Sequence, residues 1–215
     1  MKIKNNIIVA LDLMDIDQVI ALCEKIKKDI DTVKIGYPLT LACGLETINI
    51  IKEQFKFQVI CDYKVADIPA TNSKICDITF ESGADAIICH GFVGSDSVEA
   101  CYNSSLEHDK ELFLLTEMSH PGANEFLQKD ANQIAHMGLE LNIKNFVAPS
   151  TKLDRLKEIR DIVGKDKYII SPGVGFQGGN PKDTLKYADS LIIGRSIYES
   201  ENPLKSLEDI LKTIS

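Results

Sequence analysis

Short apolar segments recur along the chain, and each is followed by a stretch with the spacing of an amphipathic helix. Most segments are near-continuous hydrophobic runs, which is typical of parallel strands buried on both faces. We predict eight strands, at residues 6–11, 32–36, 58–63, 85–90, 112–117, 145–148, 168–171 and 190–194. Eight strand–helix alternations favour a (β/α)8 TIM barrel that forms one catalytic domain over residues 1–215. The alternative is an open doubly wound sheet, but its usual G-x-G-x-x-G marker is absent after the first strand.

Polar and breaker residues mark the ends of several predicted helices. Asp15 is placed to cap the first helix and Thr71 to cap the third. Gly83 ends the third helix, and the last helix begins after Asn202 with Pro203 at its first position. The inward-facing positions predicted for the third helix are Ile75, Ile78 and Thr79.

Composition narrows the functional class. Of the 215 residues, 44% are hydrophobic and 26% charged, so the chain can bury a large core and is not expected to be disordered. The net charge is −8, without a basic stripe, which disfavours nucleic-acid binding. The six cysteines form no C-x-x-C pair and are interpreted as small buried hydrophobes. Reduced thiols, and an N-terminal apolar run too short for a signal peptide or a membrane span, predict a cytoplasmic protein.

Charged residues stand where the strands of a barrel would carry an active site. Asp12 follows the first strand, Lys34 lies in the second, and the third runs into Asp62, Lys64 and Asp67. Residues two apart on a strand share a face, so Asp62 and Lys64 should both face the barrel interior. Buried charges are costly unless they are paired. We therefore predict an alternating acid–lysine cluster at the barrel mouth, either as a reaction centre or as a purely structural salt-bridge network.

Two glycine-rich segments follow the seventh and eighth predicted strands, where many barrels bind phosphate. The first, residues 171–181, reads SPGVGFQGGNP, and the second is Gly194 followed by Arg195. Glycines allow a close approach to an anion, and arginine adds a bidentate cation. A mobile surface loop is the alternative interpretation.

The loop after the fifth predicted strand reads TEMSHPGA and offers Ser119 near the barrel mouth. It is alternatively an ordinary turn at Pro121 and Gly122. His90 and His120 are weaker candidates for proton transfer, because no carboxylate near them in sequence would orient either ring.

Taken together, these motifs resemble the orotidine 5′-phosphate decarboxylase family in its short microbial form. The resemblance rests on D-x-K-x-x-D-I-P at residues 62–69, SHPGA at 119–123, PGVGFQGG at 172–179 and IIGRSIY at 192–198, with Asp12 and Lys34 upstream. It implies conversion of orotidine monophosphate to uridine monophosphate and CO2, the last step of de novo UMP synthesis, without a metal or organic cofactor. It also implies a homodimer with active sites shared across the interface.

The resemblance further implies roles for individual residues. Lys64 protonates C6 of the pyrimidine, and Asp62 lies against the substrate carboxylate. Lys34 and Asp12 bind ribose hydroxyls, whereas Asp67 and Thr71 reach a neighbouring active site. Catalytic roles are thus expected for Lys64, Asp62, Asp67 and Lys34. The substrate-binding set is Asp12, Lys34, Asp62, Asp67, Ile68, Thr71, Ser119, Pro172, Gly173, Val174, Gln177, Gly178, Gly194 and Arg195.

Three other functions share parts of this pattern. Mg²⁺-dependent sugar-phosphate lyases, such as keto-gulonate phosphate decarboxylase and hexulose phosphate synthase, share D-x-K-x-x-D but carry a metal-binding glutamate where this chain has Lys34. A barrel isomerase of amino-acid biosynthesis needs an acid and a base on opposite sides of its substrate, and no such pair is evident. A barrel that binds a nucleotide without turnover would be marked by loss of the lysine, but Lys64 is present.

Overall fold

Eight parallel strands close into a barrel in the order β1 to β8, with β8 paired to β1. The structure is a computed structural model that describes residues 1–214. It confirms the predicted (β/α)8 barrel. The strands are β1 Ile7–Ala10, β2 Thr32–Gly36, β3 Gln58–Val65, β4 Ala86–His90, β5 Glu111–Leu115, β6 Asn145–Val147, β7 Tyr168–Pro172 and β8 Ser190–Ile193.

Helices follow the strands and surround the barrel. They are α1 Ile16–Ile26, α2 Tyr37–Cys43, α3 Glu46–Phe55, α4 Pro69–Glu81, α5 Ser95–Glu107, α6 Ala123–Phe126, α7 Ala131–Glu140, α8 Leu153–Val163, α9 Pro181–Thr184, α10 Arg195–Tyr198 and α11 Pro203–Ile214. Short 3-10 turns occur at Lys4–Asn6, Gly91–Val93 and Gln128–Asp130. None of the helices in residues 1–214 has the length and apolar character needed to cross a membrane.

The predicted helix ends are confirmed at three places and wrong at one. Asp15 caps α1, because its side chain accepts hydrogen bonds from the backbone N–H groups of residues 17 and 18. Gly83, with a φ of +104°, follows the end of α4, and Asn202 accepts from the N–H of residue 205 at the start of α11. Thr71 does not cap α4. The helix begins at Pro69, whose missing N–H and fixed φ suit the first helical position, so Thr71 lies inside the first turn.

The buried face of α4 also differs from the prediction. Ile78 is 52% exposed, whereas Cys76, Thr79 and Phe80 are buried. Because α4 packs mainly against α5, this helix neighbour rather than the barrel sets which positions are covered. The apolar periodicity of the sequence therefore identified part of the inward face and misplaced Ile78.

In most strands, alternate residues pack into two separate hydrophobic layers. Val59 and Cys61 of β3 belong to the layer between the strands and the helices, whereas Ile60 belongs to the smaller core inside the barrel. Continuing this alternation along β3 directs Asp62 and Lys64 to the interior side, as predicted. The strand thus directs two charged side chains to the mouth of the barrel.

A buried ion cluster holds the loops that follow β5 and β6. β5 ends at Leu115, two residues earlier than predicted, so Glu117 lies beyond the strand. Its side chain is fully buried and accepts from Lys152 Nζ at 2.6 Å and from Arg155 Nε at 3.1 Å. Arg155 also donates to Asn132 Oδ1 at 2.9 Å, which ties α7 to the cluster. One carboxylate therefore fixes the start of α8 against the loop that carries Ser119.

We predict that Glu117→Ala lowers the free energy of unfolding by about 3–5 kcal/mol. The substitution removes the buried carboxylate and leaves the charges of Lys152 and Arg155 without their partner. Urea unfolding at neutral pH measures the change.

The matched control is Glu158→Ala, which removes the exposed carboxylate that contacts the same Arg155 guanidinium. It should change the free energy of unfolding by less than about 1 kcal/mol. Equal decreases in the free energy of unfolding of the two variants would contradict the prediction that the buried carboxylate contributes more to stability than the exposed one.

Candidate active site

A cleft of about 1210 Å³ opens at the carboxyl ends of the strands, where barrel enzymes carry their active sites. Most of the residues predicted for the site line this cleft. They are Asp12, Lys34, Asp62, Lys64, Ser119, Pro172, Gly173, Val174, Gln177, Gly194 and Arg195. Segments far apart in sequence are thus brought together by strands β1, β2, β3, β7 and β8 and by the loop after β5.

Four charged side chains form a continuous alternating array on one wall of the cleft. Lys34 Nζ lies 3.0 Å from Asp12 Oδ1 and 3.3 Å from Asp62 Oδ2. The second carboxylate oxygen of Asp62 accepts from Lys64 Nζ at 2.8 Å. The Lys34 side chain is 8% exposed and that of Lys64 is 35% exposed, so the array runs from the barrel interior toward the open cleft.

The array shifts the proton affinities of its innermost members in opposite directions. Burial raises the pKa of Asp62, but the charges of Lys34 and Lys64 outweigh it, and the pKa lies below its ordinary value. Burial lowers the pKa of Lys34, but Asp62 and Asp12 outweigh it, and the pKa lies above its ordinary value. Asp62 then contributes stability that is lost as pH falls through its lowered pKa, and Lys34 contributes stability that is lost as pH rises through its raised pKa. Both groups are therefore charged at neutral pH.

The backbone at Lys64 has an uncommon conformation. Its φ is +43°, in the left-handed region that L-residues other than Asn and Asp seldom occupy. The pairing register between β3 and β4 shifts between Cys61 and Val65, so a bulge coincides with this residue. Such strain concentrates where a side chain is held in a required direction. Here it accompanies the contact between the Lys64 ammonium and Asp62.

Four of the predicted site residues do not line the cleft: Asp67, Ile68, Thr71 and Gly178. The predicted five-member cluster therefore has four members within this chain. Asp67 is exposed, and its side chain accepts from the N–H of Ile68 at 2.7 Å instead of joining a lysine. Its own N–H donates to the buried Asn72 side chain, which fixes the turn before α4 outside the cleft.

Arg195 differs from the other cations of the cleft. Lys34, Lys64 and Lys152 each contact a carboxylate, whereas no carboxylate within residues 1–214 pairs with the Arg195 guanidinium. Its Cζ instead lies 3.8 Å from the ring centroid of Phe176, in the loop after β7. The cleft thus holds one cation whose N–H donors are not committed to an internal acid.

The loop after β7 is closely tied to the segment after β8. Gly175 has a φ of +76°, and a Cβ there would lie 2.5 Å from Ser196 Oγ, so only glycine suits the position. The same Ser196 hydroxyl accepts from the N–H of Phe176 at 3.0 Å. The loop is therefore anchored beside Arg195, in contrast to the alternative of an unattached surface loop.

The loop after β5 contains both features considered from its sequence, a turn and a serine that faces the cleft. Residues 120–122 form a turn that leads into α6, and Ser119 lines the cleft. The hydroxyl of Thr151 donates to the Ser119 carbonyl at 2.8 Å, which links this loop to the loop after β6. The turn and the cleft-lining serine are thus parts of one supported segment.

The two histidine candidates occupy different positions. His120 lines the cleft, whereas His90 does not. Burial, together with the Lys64 charge, lowers the pKa of His90 to about 4, so its ring is neutral at neutral pH. It packs edge-on against Phe92, with ring centroids 4.2 Å apart.

Five of the six cysteines are buried as predicted, and Cys43 is half-buried.

Several residues that line the cleft escaped the sequence analysis. They are chiefly Tyr37, Met118, Thr151, Lys152, Phe176 and Tyr198. All six lie within five residues of the carboxyl ends of β2, β5, β6, β7 and β8. This position is the signal that could have identified them, because the segments that follow the strands of a barrel form its active-site face. In the described part of the chain, no cluster of three or more His, Cys, Asp or Glu side chains is arranged to hold a metal ion.

The fold and the cleft define a (β/α)8-barrel enzyme with an acid–lysine array at its mouth. Residues 5–210 match the family model described as orotidine 5′-phosphate decarboxylase / HUMPS family. The chain belongs to this family.

Similar proteins carry consistent names. An orotidine 5′-phosphate decarboxylase from Methanosphaera stadtmanae is 56% identical over 100% of this chain and 99% of its own length, and one from Methanococcus maripaludis is 52% identical over 92% and 91%. The crystal structure of orotidine 5′-monophosphate decarboxylase from Methanocaldococcus jannaschii complexed with inhibitor BMP superimposes with a TM-score of 0.92 at 44% identity, covering 97% of this chain and 98% of that one. These comparisons support the decarboxylase, a carboxy-lyase, over the Mg²⁺-dependent lyase.

Proposed function

We propose that this protein decarboxylates orotidine 5′-phosphate to uridine 5′-phosphate and CO2, the last step of de novo UMP synthesis. The observation that carries the proposal is the array of Asp12, Lys34, Asp62 and Lys64, which faces a cleft that also contains the uncommitted Arg195. One wall offers an ammonium group for the reacting carbon, and Arg195 offers donors for the phosphate. A cytoplasmic location stays a prediction.

Lys64 is the proposed proton donor. Loss of CO2 leaves an electron pair at a vinylic carbon that has no adjacent electron sink, so the charge must be stabilised electrostatically. The bond between C6 and the carboxyl carbon breaks, the pair stays on C6, and Lys64 Nζ then transfers a proton to that carbon. Of the two lysines in the array, Lys64 has the more exposed side chain, which allows it to contact a ligand in the cleft.

Asp62 is proposed to lie against the carboxyl group that leaves. Two lysines hold its carboxylate in the charged form, so it would repel a substrate carboxylate placed beside it. The repulsion is relieved when CO2 departs as a neutral molecule. Asp62 also fixes the Lys64 ammonium at 2.8 Å and thus orients the proton donor.

The remaining contacts are assigned from the resemblance to the family, and most of the residues concerned line the cleft. Lys34 and Asp12 are proposed to bind ribose hydroxyls, and Ser119 to contact the pyrimidine. Arg195 and Gln177 are proposed to bind the phosphate, with the loop of Pro172, Gly173, Val174 and Gly178 around it and Gly194 beside it. A guanidinium suits this task because its planar donors match phosphate oxygens in pairs.

We further propose a homodimer in which Asp67, Ile68 and Thr71 complete the partner's active site. They do not line the cleft of their own chain, and Ile68 is 64% exposed. Large exposed hydrophobic side chains occur in the segments that follow the consecutive strands β2, β3 and β4. They are Tyr37, Leu41, Ile68, Ile78 and Phe92. An apolar surface of this kind is typical of a protein interface.

The activity is tested by following the loss of orotidine 5′-phosphate absorbance with purified protein that has been treated with a chelator. We expect turnover to persist, because the proposed proton donor and charge stabilisation come from side chains. Activity abolished by the chelator and restored by Mg²⁺ would instead support the metal-dependent lyase chemistry.

We predict that Lys64→Ala leaves binding of uridine 5′-phosphate measurable by calorimetry but lowers kcat by about a thousandfold or more, since proton donor and charge stabiliser are lost together. The control is Lys205→Ala, at an exposed position on α11, which should keep kcat within about twofold because surface substitutions have small effects. Near-normal turnover by the Lys64 variant would end the assignment.

Shared active sites predict complementation between two inactive variants. When Asp67→Ala and Lys64→Ala subunits are mixed equally and exchange, half of the dimers are hybrids with one intact site each. Activity should recover to about a quarter of the wild-type value per chain, as two-fold symmetry requires.

The control mixture combines Asp62→Ala with Lys64→Ala, two residues that line the cleft of the same chain. Every hybrid site then lacks one of the two, so this mixture should stay inactive. Equal behaviour of the two mixtures, after subunit exchange has been verified by mass spectrometry of tagged chains, would contradict sharing of Asp67.

A further inference from the structure

The ring of Phe176 packs against the flat face of the Arg195 guanidinium. The distance from Arg195 Cζ to the ring centroid is 3.8 Å, well within the range of cation–π attraction. Phe176 is otherwise 60% exposed and lines the cleft together with Arg195 and Gln177. An exposed aromatic side chain in this position is not explained by core packing.

The contact holds the arginine without using its hydrogen-bond donors. The five N–H groups of a guanidinium lie in its plane, whereas the ring covers one face. A carboxylate could also hold Arg195, but it would occupy those donors and compete with any anionic ligand. Lys34, Lys64 and Lys152 are held by carboxylates in this way. Among the four cleft cations, Arg195 alone has an aromatic ring where the others have an acid, in the part of the chain that the structure describes.

The backbone fixes the ring beside its partner. The N–H of Phe176 donates to the hydroxyl of Ser196, the residue that follows Arg195, at 3.0 Å. Gly175 allows this approach because it has a positive φ and no Cβ to meet that hydroxyl. The ring and the guanidinium are therefore carried by two segments that are joined at this point.

We propose that Phe176 is a positioning residue for the phosphate: it restricts the Arg195 side chain and shields one face from water while leaving the donors in the plane available. The inference rests on the proposed function, in which Arg195 binds the substrate phosphate. An arginine ordered in advance loses less rotamer freedom when the phosphate arrives. Phe176 then acts on affinity for the phosphate-bearing ligand and leaves the chemical step unchanged.

The test compares Phe176→Leu, which keeps an apolar side chain but removes the ring, with Phe176→Tyr, which keeps the ring. For the Leu variant we expect KM for orotidine 5′-phosphate and Kd for uridine 5′-phosphate to rise about three- to tenfold, the range of an exposed to partly desolvated cation–π contact. The kcat at saturating substrate should stay within about twofold, since the interaction is made equally in ground and transition states. The Tyr variant should restore both constants.

Ligands without the phosphate separate positioning from general disruption. Binding of uridine to the two variants should match wild type, whereas inhibition by inorganic phosphate should weaken in the Leu variant alone. Equal weakening for uridine and uridine 5′-phosphate would overturn the proposal, as would tighter nucleotide binding by the Leu variant. Wild-type protein that does not decarboxylate orotidine 5′-phosphate would refute the proposed function, while an active wild type with an unaltered Leu variant would refute only the role of Phe176.

Discussion

The ammonium group of Lys34 sits at the mouth of the barrel between two carboxylates, and the geometry of the site depends on that contact. An unpaired charge at such a depth would cost several kcal/mol, so the carboxylates of Asp12 and Asp62 must stay close to it. Because each carboxylate is carried by a different strand or strand end, satisfying Lys34 also fixes β1, β2 and β3 relative to one another. The second oxygen of Asp62 is then directed toward Lys64, whose strained backbone brings its ammonium to the open side of the array.

Arg195 shows the opposite solution to the problem of holding a cation. Each lysine of the cleft is paired with a carboxylate of the same chain, so its position and its charge are fixed by the protein. The guanidinium has no acid among the described residues and packs against Phe176 instead, so its N–H donors are not occupied by an internal carboxylate. In the acidic protein, with a net charge of −8, attraction of an anion depends on such a local arrangement and cannot arise from the overall charge.

The sequence predicted much of this arrangement because strands impose simple rules. Continuous apolar runs identified all eight strands within two residues at either end, and alternation on β3 correctly placed Asp62 and Lys64 on the interior side. Contacts between loops could not be predicted in this way, because apolar runs and strand alternation do not specify which loops approach one another. The pairing of Glu117 with Lys152 and Arg155 joins residues 35 and 38 positions apart, and no local pattern specifies it. The stacking of Phe176 on Arg195 is a similar case, since it requires the approach of two loops.

Within one chain, the turn before α4 keeps Asp67 outside the cleft, and the array does not need it for charge balance. Asp12 and Asp62 balance Lys34 and Lys64, so the array of one chain is already neutral and has no electrostatic need for a third acid. In the proposed dimer, the partner's Asp67 would add one negative charge, and the substrate carboxylate would add another. The complete site would then hold an excess of negative charge, and the departure of CO2 would move one of these charges from the carboxylate beside Asp62 to C6, where the Lys64 ammonium can neutralise it. Dimer formation would in that case do more than cover the apolar surface after β2, β3 and β4, because it would set the charge against which the carboxyl group is expelled.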